Sequence, residues 1–235
     1  MSVVAHLQES AAPGTTKAAV ADLATITFFY LLRVGEYTMP SSARKTRTVQ
    51  FRVQDVTFYK DGFVIPTTAP LHSLLGADGV ALCISNQKNG TRGETIFHHA
   101  LRGHRICPVA ALARRVSTIM AATGDSSLPL SLLCTGDERH HHATASMVRM
   151  AIRGAVSATG LSQRGIHPSN VGSHSLRAGG AMAMKLNGCD LITIMKTGRW
   201  TSLTFLTYIH NQIAHLGANI THRMARPVPF FSFNP

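Results

Sequence analysis

"VTFYKDGFVI", residues 56–65, holds Asp61-Gly62 between two runs of β-branched and aromatic residues. An Asp-Gly pair readily takes the left-handed backbone of a two-residue hairpin turn, and its flanks suit a pleated, half-buried surface. The stretch therefore predicts a β-hairpin. That decides the fold class, because the sequence on either side keeps a helical period. Upstream, Ala19, Leu23, Ile26 and Tyr30 lie at helical spacings and predict an amphipathic helix over 16–32. Downstream of Pro108, Val109, Leu112, Val116 and Ile119 repeat the pattern. Further helices are expected over 144–159, ending at Gly160, and from a cap at Ser173 to just before Gly188. Asp190 is expected to cap a short successor, and Ser202 to start a last helix striped by Ile209, Ile213, Leu216 and Ile220.

Within the central block, "VQFRV" (49–53), "ALCIS" (81–85) and "ETIFHH" (94–99) read as further strands, the last two joined by the basic turn "NQKNGTRG" (86–93). The order is helix, small antiparallel sheet, then several helices: an α+β domain over 16–222 between short tails at 1–15 and 223–235. The closing "RPVPFFSFNP" cannot continue a helix, because its prolines lack the amide donor.

Charge narrows the partner. Twenty-three Lys and Arg face eleven Asp and Glu, for a formal net charge of +12. Such an excess favours a polyanion, nucleic acid such as double-stranded DNA ahead of an anionic membrane surface. The longest apolar run, "AAVADLATITFFYLL" (18–32), is broken by Asp22 and too short to span a bilayer, and no signal peptide opens the chain, so neither membrane insertion nor secretion is expected. Cys83, Cys107, Cys134 and Cys189 are scattered and read as small core residues. The histidines of "RHHH" (139–142) read as a solvated polar loop rather than a metal site; no metal and no cofactor is expected.

Four short elements carry candidate chemistry. In "LLRVGEY" (31–37), Arg33 follows a strongly apolar helix and Glu36, three residues on, is placed to brace it. Lys88 lies in the turn of "CISNQKNGTRGETIF" (83–97), with Lys45 and Lys60 as rival lysines. In "VGSHSLRAGGAMAM" (171–184), His174 and Arg177 share one helix face. "GRWTSLTFLTYIH" (198–210) carries Trp200 and, eight residues later, Tyr208. Two guanidiniums are suited to fork onto the oxygens of a phosphate. Arg44, Lys45, Arg47 and Arg92, with Arg102, Arg105, Arg149 and Arg164, are candidates for contact with DNA backbone on charge alone.

The order Arg33, Lys88, His174-x-x-Arg177, Trp200, Tyr208 resembles the tyrosine recombinase, or phage integrase, family over about residues 16–220. Its details look more like the recombinases of eukaryotic mobile elements such as Cryptons. The resemblance implies site-specific DNA cleavage and rejoining, without a metal ion, through a covalent 3′-phosphotyrosyl intermediate. Tyr208 would be the nucleophile and Lys88 the general acid. Arg33 and Arg177 would hold the phosphate, His174 would assist proton transfer, Trp200 would donate its indole N–H and pack beside Tyr208, and Glu36 would orient Arg33. It further implies self-association on DNA, and a nuclear location for a eukaryotic element or a cytoplasmic one otherwise. Members usually carry an N-terminal helical domain that completes a clamp around DNA. Here about fifteen residues precede the first expected helix, which leaves a fragment, a truncated element or reliance on a partner open. A topoisomerase IB-like nicking-closing enzyme and an inactive DNA-binding remnant are the alternatives.

Overall fold

The computed structural model describes residues 2–40, 49–84, 93–134, 140–202 and 206. Its centre is helix α2 (Thr16–Tyr30), whose first turn is capped by Thr15 Oγ1 accepting from the Ala18 amide at 3.2 Å. The expected stripe is buried at Leu23, Ile26 and Tyr30, but so are Val20, Ala21, Ala24 and Phe28 on the other faces. A helix apolar all round sits inside a fold rather than on its surface. Helix α1 (Ser2–Glu9) packs along it, so the tail expected at 1–15 contains a helix, with Val4 and Leu7 in the core.

The hairpin forms as the Asp-Gly pair predicts: β1 (Val56–Lys60) pairs antiparallel with β2 (Phe63–Ile65), and Asp61 takes φ +50° and Gly62 φ +82°. After the short helix α4 (Leu71–Leu75), β3 (Gly79–Ile84) pairs with β1 and with β4 (Glu94–His99). The order β2-β1-β3-β4 is an antiparallel sheet of four strands among the described residues. "VQFRV" is not one of them. Phe51 and Val53 are buried, but their amides donate to the carbonyls of Glu36 and Leu128, and Val53–Asp55 is a 3₁₀ turn. A main chain whose donors are already spent on a helix and a loop has none left for a sheet ladder.

Helix α5 (Pro108–Thr123) starts with proline at its first position and ends on Gly124 in the left-handed region. The hairpin of β5 (Leu132–Cys134) with β6 (His140–His142) follows. "RHHH" is therefore not a free loop over its histidines: they pair with buried Leu132 and Leu133, while His140 and His141 stay exposed. Among the described residues no three His, Cys, Asp or Glu side chains could jointly hold a metal ion.

Helices α6 (Ala145–Ala158), α7 (Ser173–Leu186) and α8 (Leu191–Gly198) complete the α+β fold, making eight α-helices among the described residues. Thr144 caps α6 and Asp190 caps α8. Ser173 does not cap α7. It is already helical, the cap position falls on Gly172, and the Gly172 amide donates to Ser175 Oγ at 3.0 Å. No helix among the described residues is long and apolar enough to cross a membrane.

Candidate functional site

Three turns, far apart in sequence, meet at one place: the end of α2, the N-terminal half of α7, and the end of α8. Helix α7 reaches α2 closely because Gly180 has no side chain. A Cβ there would lie 2.2 Å from the Phe28 carbonyl oxygen and 2.4 Å from Leu31 Cδ2. That contact sets Arg177, three residues earlier on α7, against the C-terminus of α2. There Leu31 stops the helix in the left-handed region, φ 49° and ψ 48°, and its carbonyl accepts from Arg177 Nη1.

Helix α8 ends in the same way. Arg199, also left-handed at φ 55° and ψ 45°, turns the chain so that the Gly198 carbonyl accepts from Arg177 Nη2. The Arg199 carbonyl accepts from Arg33 Nη2 at 3.2 Å. The Trp200 ring then lies over Arg177, with the guanidinium carbon 4.2 Å from the ring centroid, a cation–π arrangement. Only glycine fits at 198, since a Cβ would fall 1.7 Å from the Trp200 ring.

One carboxylate serves this group. Glu36, on the short helix α3 (Val34–Tyr37), is 2% exposed. Its Oε1 pairs with Arg33 Nη1 at 3.3 Å, and its Oε2 accepts from the Arg33 amide at 2.7 Å and from Arg199 Nη2 at 2.9 Å. Arg199 Nη2 also donates to the Leu31 carbonyl at 3.2 Å. Arg177 is 3% exposed and Arg199 6%. Burial pulls the Arg199 guanidinium below its ordinary range; Glu36 opposes that shift and the charge of Arg33 adds to it. Two Arg199 nitrogens, Nε and Nη1, are buried without a hydrogen-bond partner among the described residues. An orphaned buried donor costs about 1–3 kcal/mol and calls for an explanation.

Four residues expected from the sequence are thus brought together: Arg33, Glu36, Arg177 and Trp200. His174 lies one turn before Arg177 on α7 and is exposed. Lys88, Tyr208, Arg44, Lys45, Arg47 and Arg92 lie outside the described residues. The rival Lys60 stands at the far end of the sheet: it pairs across the turn with Phe63, near Asp78 and Arg102. At the opposite end Ile84 pairs with Glu94, whose charge acts on Arg199, so the strand ends that flank Lys88 are on the arginine side. The residue missed from sequence is Arg199. Its signal was present in the "GRW" triplet, but a lone arginine after a helix does not announce burial.

Comparison of the sequence with models of known protein families gives no match, and comparison with curated proteins gives none either.

Proposed function

We propose that the chain is the catalytic domain of a DNA strand-transferring enzyme of the tyrosine recombinase type, and that the arginine cluster is its phosphate pocket. What supports the reading is the convergence of Arg33 and Arg177: 144 positions apart in the sequence, they are tied through the consecutive carbonyls of Gly198 and Arg199. The formal charge of +12 supplies attraction toward a polyanion.

In this reading the guanidiniums of Arg33 and Arg177 hold the non-bridging oxygens while negative charge gathers on them around a five-coordinate phosphorus. Each such donor is worth roughly a hundred- to a thousandfold in rate. The Tyr208 phenol gives up its proton to the His174 imidazole as its oxygen bonds to phosphorus. The bond from phosphorus to the 5′ oxygen breaks, and that oxygen takes a proton from Lys88, with His174 assisting. A free 5′-hydroxyl from another strand runs the step backwards, so the bond energy is conserved and no ATP is consumed. Self-association on DNA and a nuclear or cytoplasmic location accompany the proposal.

A second reading, a DNA-binding remnant without chemistry, draws on one observation: both terminal nitrogens of Arg177 already donate to main-chain carbonyls. A nicked suicide duplex separates the two. The enzymatic reading expects a covalent protein–DNA adduct that disappears in Tyr208→Phe; duplex binding with no adduct supports the remnant and overturns the enzyme. Relaxation of plasmid without strand exchange marks the topoisomerase-like alternative.

A further inference from the structure

We infer that Arg199 is a positioning residue, resting on the phosphoryl-transfer reading above: it locks Glu36 and the two left-handed corners into the one arrangement in which Arg33 and Arg177 face the same phosphate. Its Nη2 joins the Leu31 carbonyl to Glu36 Oε2, at 3.2 and 2.9 Å. The Leu31 carbonyl is also an acceptor of Arg177, and Glu36 is also the partner of Arg33. One nitrogen therefore touches the acceptors of both arginines. The backbone of Arg199 closes the loop, because its carbonyl accepts from Arg33 and the preceding carbonyl accepts from Arg177.

An ordinary ion pair would not need this placement. Arg199 is 6% exposed and Glu36 2%, so the pair is removed from solvent, where replacing both partners with apolar side chains is often neutral for stability. Nε and Nη1 remain without partners, which makes the residue a costly choice if stability alone were at stake. What the guanidinium does, and a hydrocarbon cannot, is bridge two acceptors from one nitrogen held in a rigid plane. A shift of about 1 Å in a positioned group can cost on the order of a hundredfold in rate. Arg199 acts through Arg33 and Arg177 rather than on the phosphate.

The test is single-turnover adduct formation on the nicked suicide duplex, with duplex affinity measured beside it, for Arg199→Met, Arg199→Lys, Glu36→Gln and the double variant Arg199→Met/Glu36→Gln. The expected result is a loss of about a hundredfold in adduct rate for Arg199→Met with affinity held within about threefold. Arg199→Lys keeps the charge but loses the rigid plane that holds Nη2, and is expected to recover about tenfold of that loss. In the double variant the two losses do not multiply, because both substitutions release the same Arg33 and Arg177. Arg199→Met at the wild-type rate, or losses that multiply with Glu36→Gln, overturns the inference while the proposed function stands. A wild-type protein that binds the duplex and never forms an adduct overturns both. Should Arg199→Met fail to fold, Arg199→Lys decides: an adduct rate equal to wild type refutes the inference, and a loss of about tenfold at unchanged affinity upholds it.

Discussion

Asp22 and Glu36 are both carboxylates buried beside arginine, and their surroundings are opposite in kind. Asp22, on α2, faces Arg114 on α5, whose Nε lies 3.0 and 3.1 Å from its two oxygens. Gln8 of α1 closes the ring by donating to Asp22 Oδ1 and accepting from Arg114 Nη2, each at 3.0 Å. Burial pushes the Asp22 carboxyl up, and Arg114 pulls against that shift. Next on α5, buried Arg115 donates to the carbonyls of Leu130 and Leu132 and holds the β5 strand. Each charge in that region meets a partner, and the product is a clamp between helices. At the other site one carboxylate, Glu36, contacts two guanidiniums, a third reaches it through shared carbonyls, and Arg199 keeps two donors unused. The first region closes a ring of satisfied donors between helices; the second gathers three guanidiniums at two corners of the main chain, and the proposed phosphate role draws on that gathering.

The sharpest way to break this contrast is to remove one buried arginine from each region. Arg177→Met is expected to slow adduct formation by about a hundred- to a thousandfold. Arg115→Met is expected to cost about 1–3 kcal/mol of stability, because the Leu130 and Leu132 carbonyls lose their donor, yet to leave the rate per folded molecule within about twofold. Equal kinetic losses in the two variants would erase the distinction.

The helix contact beneath the arginines offers the next test. Gly180→Ala must push α7 off the Phe28 carbonyl, at an expected cost of about 3 kcal/mol in denaturant unfolding. Gly179→Ala meets only the Phe28 ring, 3.9 Å away, and is expected to gain up to about 1 kcal/mol from helix propensity. Equal stability for the two would mean that α7 does not lean on α2.

A different kind of titration belongs to the last turn of α2. His98 donates Nε2–H to the Phe29 carbonyl at 3.0 Å and meets Tyr30 edge-on, and burial pulls its pKa down to about 4. The unfolded chain takes up this proton near pH 6.5 and the folded chain only near 4, so stability is full above that window and falls as pH drops through it. The expected loss is on the order of 2–3 kcal/mol, followed by denaturant titrations across pH. His98→Phe should flatten the profile; an unchanged slope would place the proton uptake elsewhere.

Salt gives the smallest expected effect. Raising ionic strength from about 50 to about 200 mM should weaken duplex binding at least about tenfold through counterion release. The folding stability contributed by buried Asp22 should hardly respond, since buried pairs are screened far less than exposed charges.

Much of the fold was legible because its signals are local. Asp61-Gly62 dictates its hairpin through backbone conformation alone, and Asp190 and Thr144 sit where helices begin. "VQFRV" misled because alternation records burial, not pairing: Phe51 and Val53 are buried as the pattern asks, while their amides bond to a short helix and a loop. The candidate site was legible in its side chains, Arg33, Glu36, Arg177 and Trp200, and illegible in its acceptors. Leu31, Gly198 and Arg199 contribute carbonyl oxygens, which every residue possesses, and only tertiary contact decides which are used.

Those carbonyls stand at two non-glycine corners in the left-handed region, Leu31 and Arg199. Substitution can alter what hangs from a corner but cannot delete its oxygen. Half of the scaffold around the guanidiniums is thus invisible to residue-by-residue comparison, and a lineage could keep its geometry long after its letters had diverged.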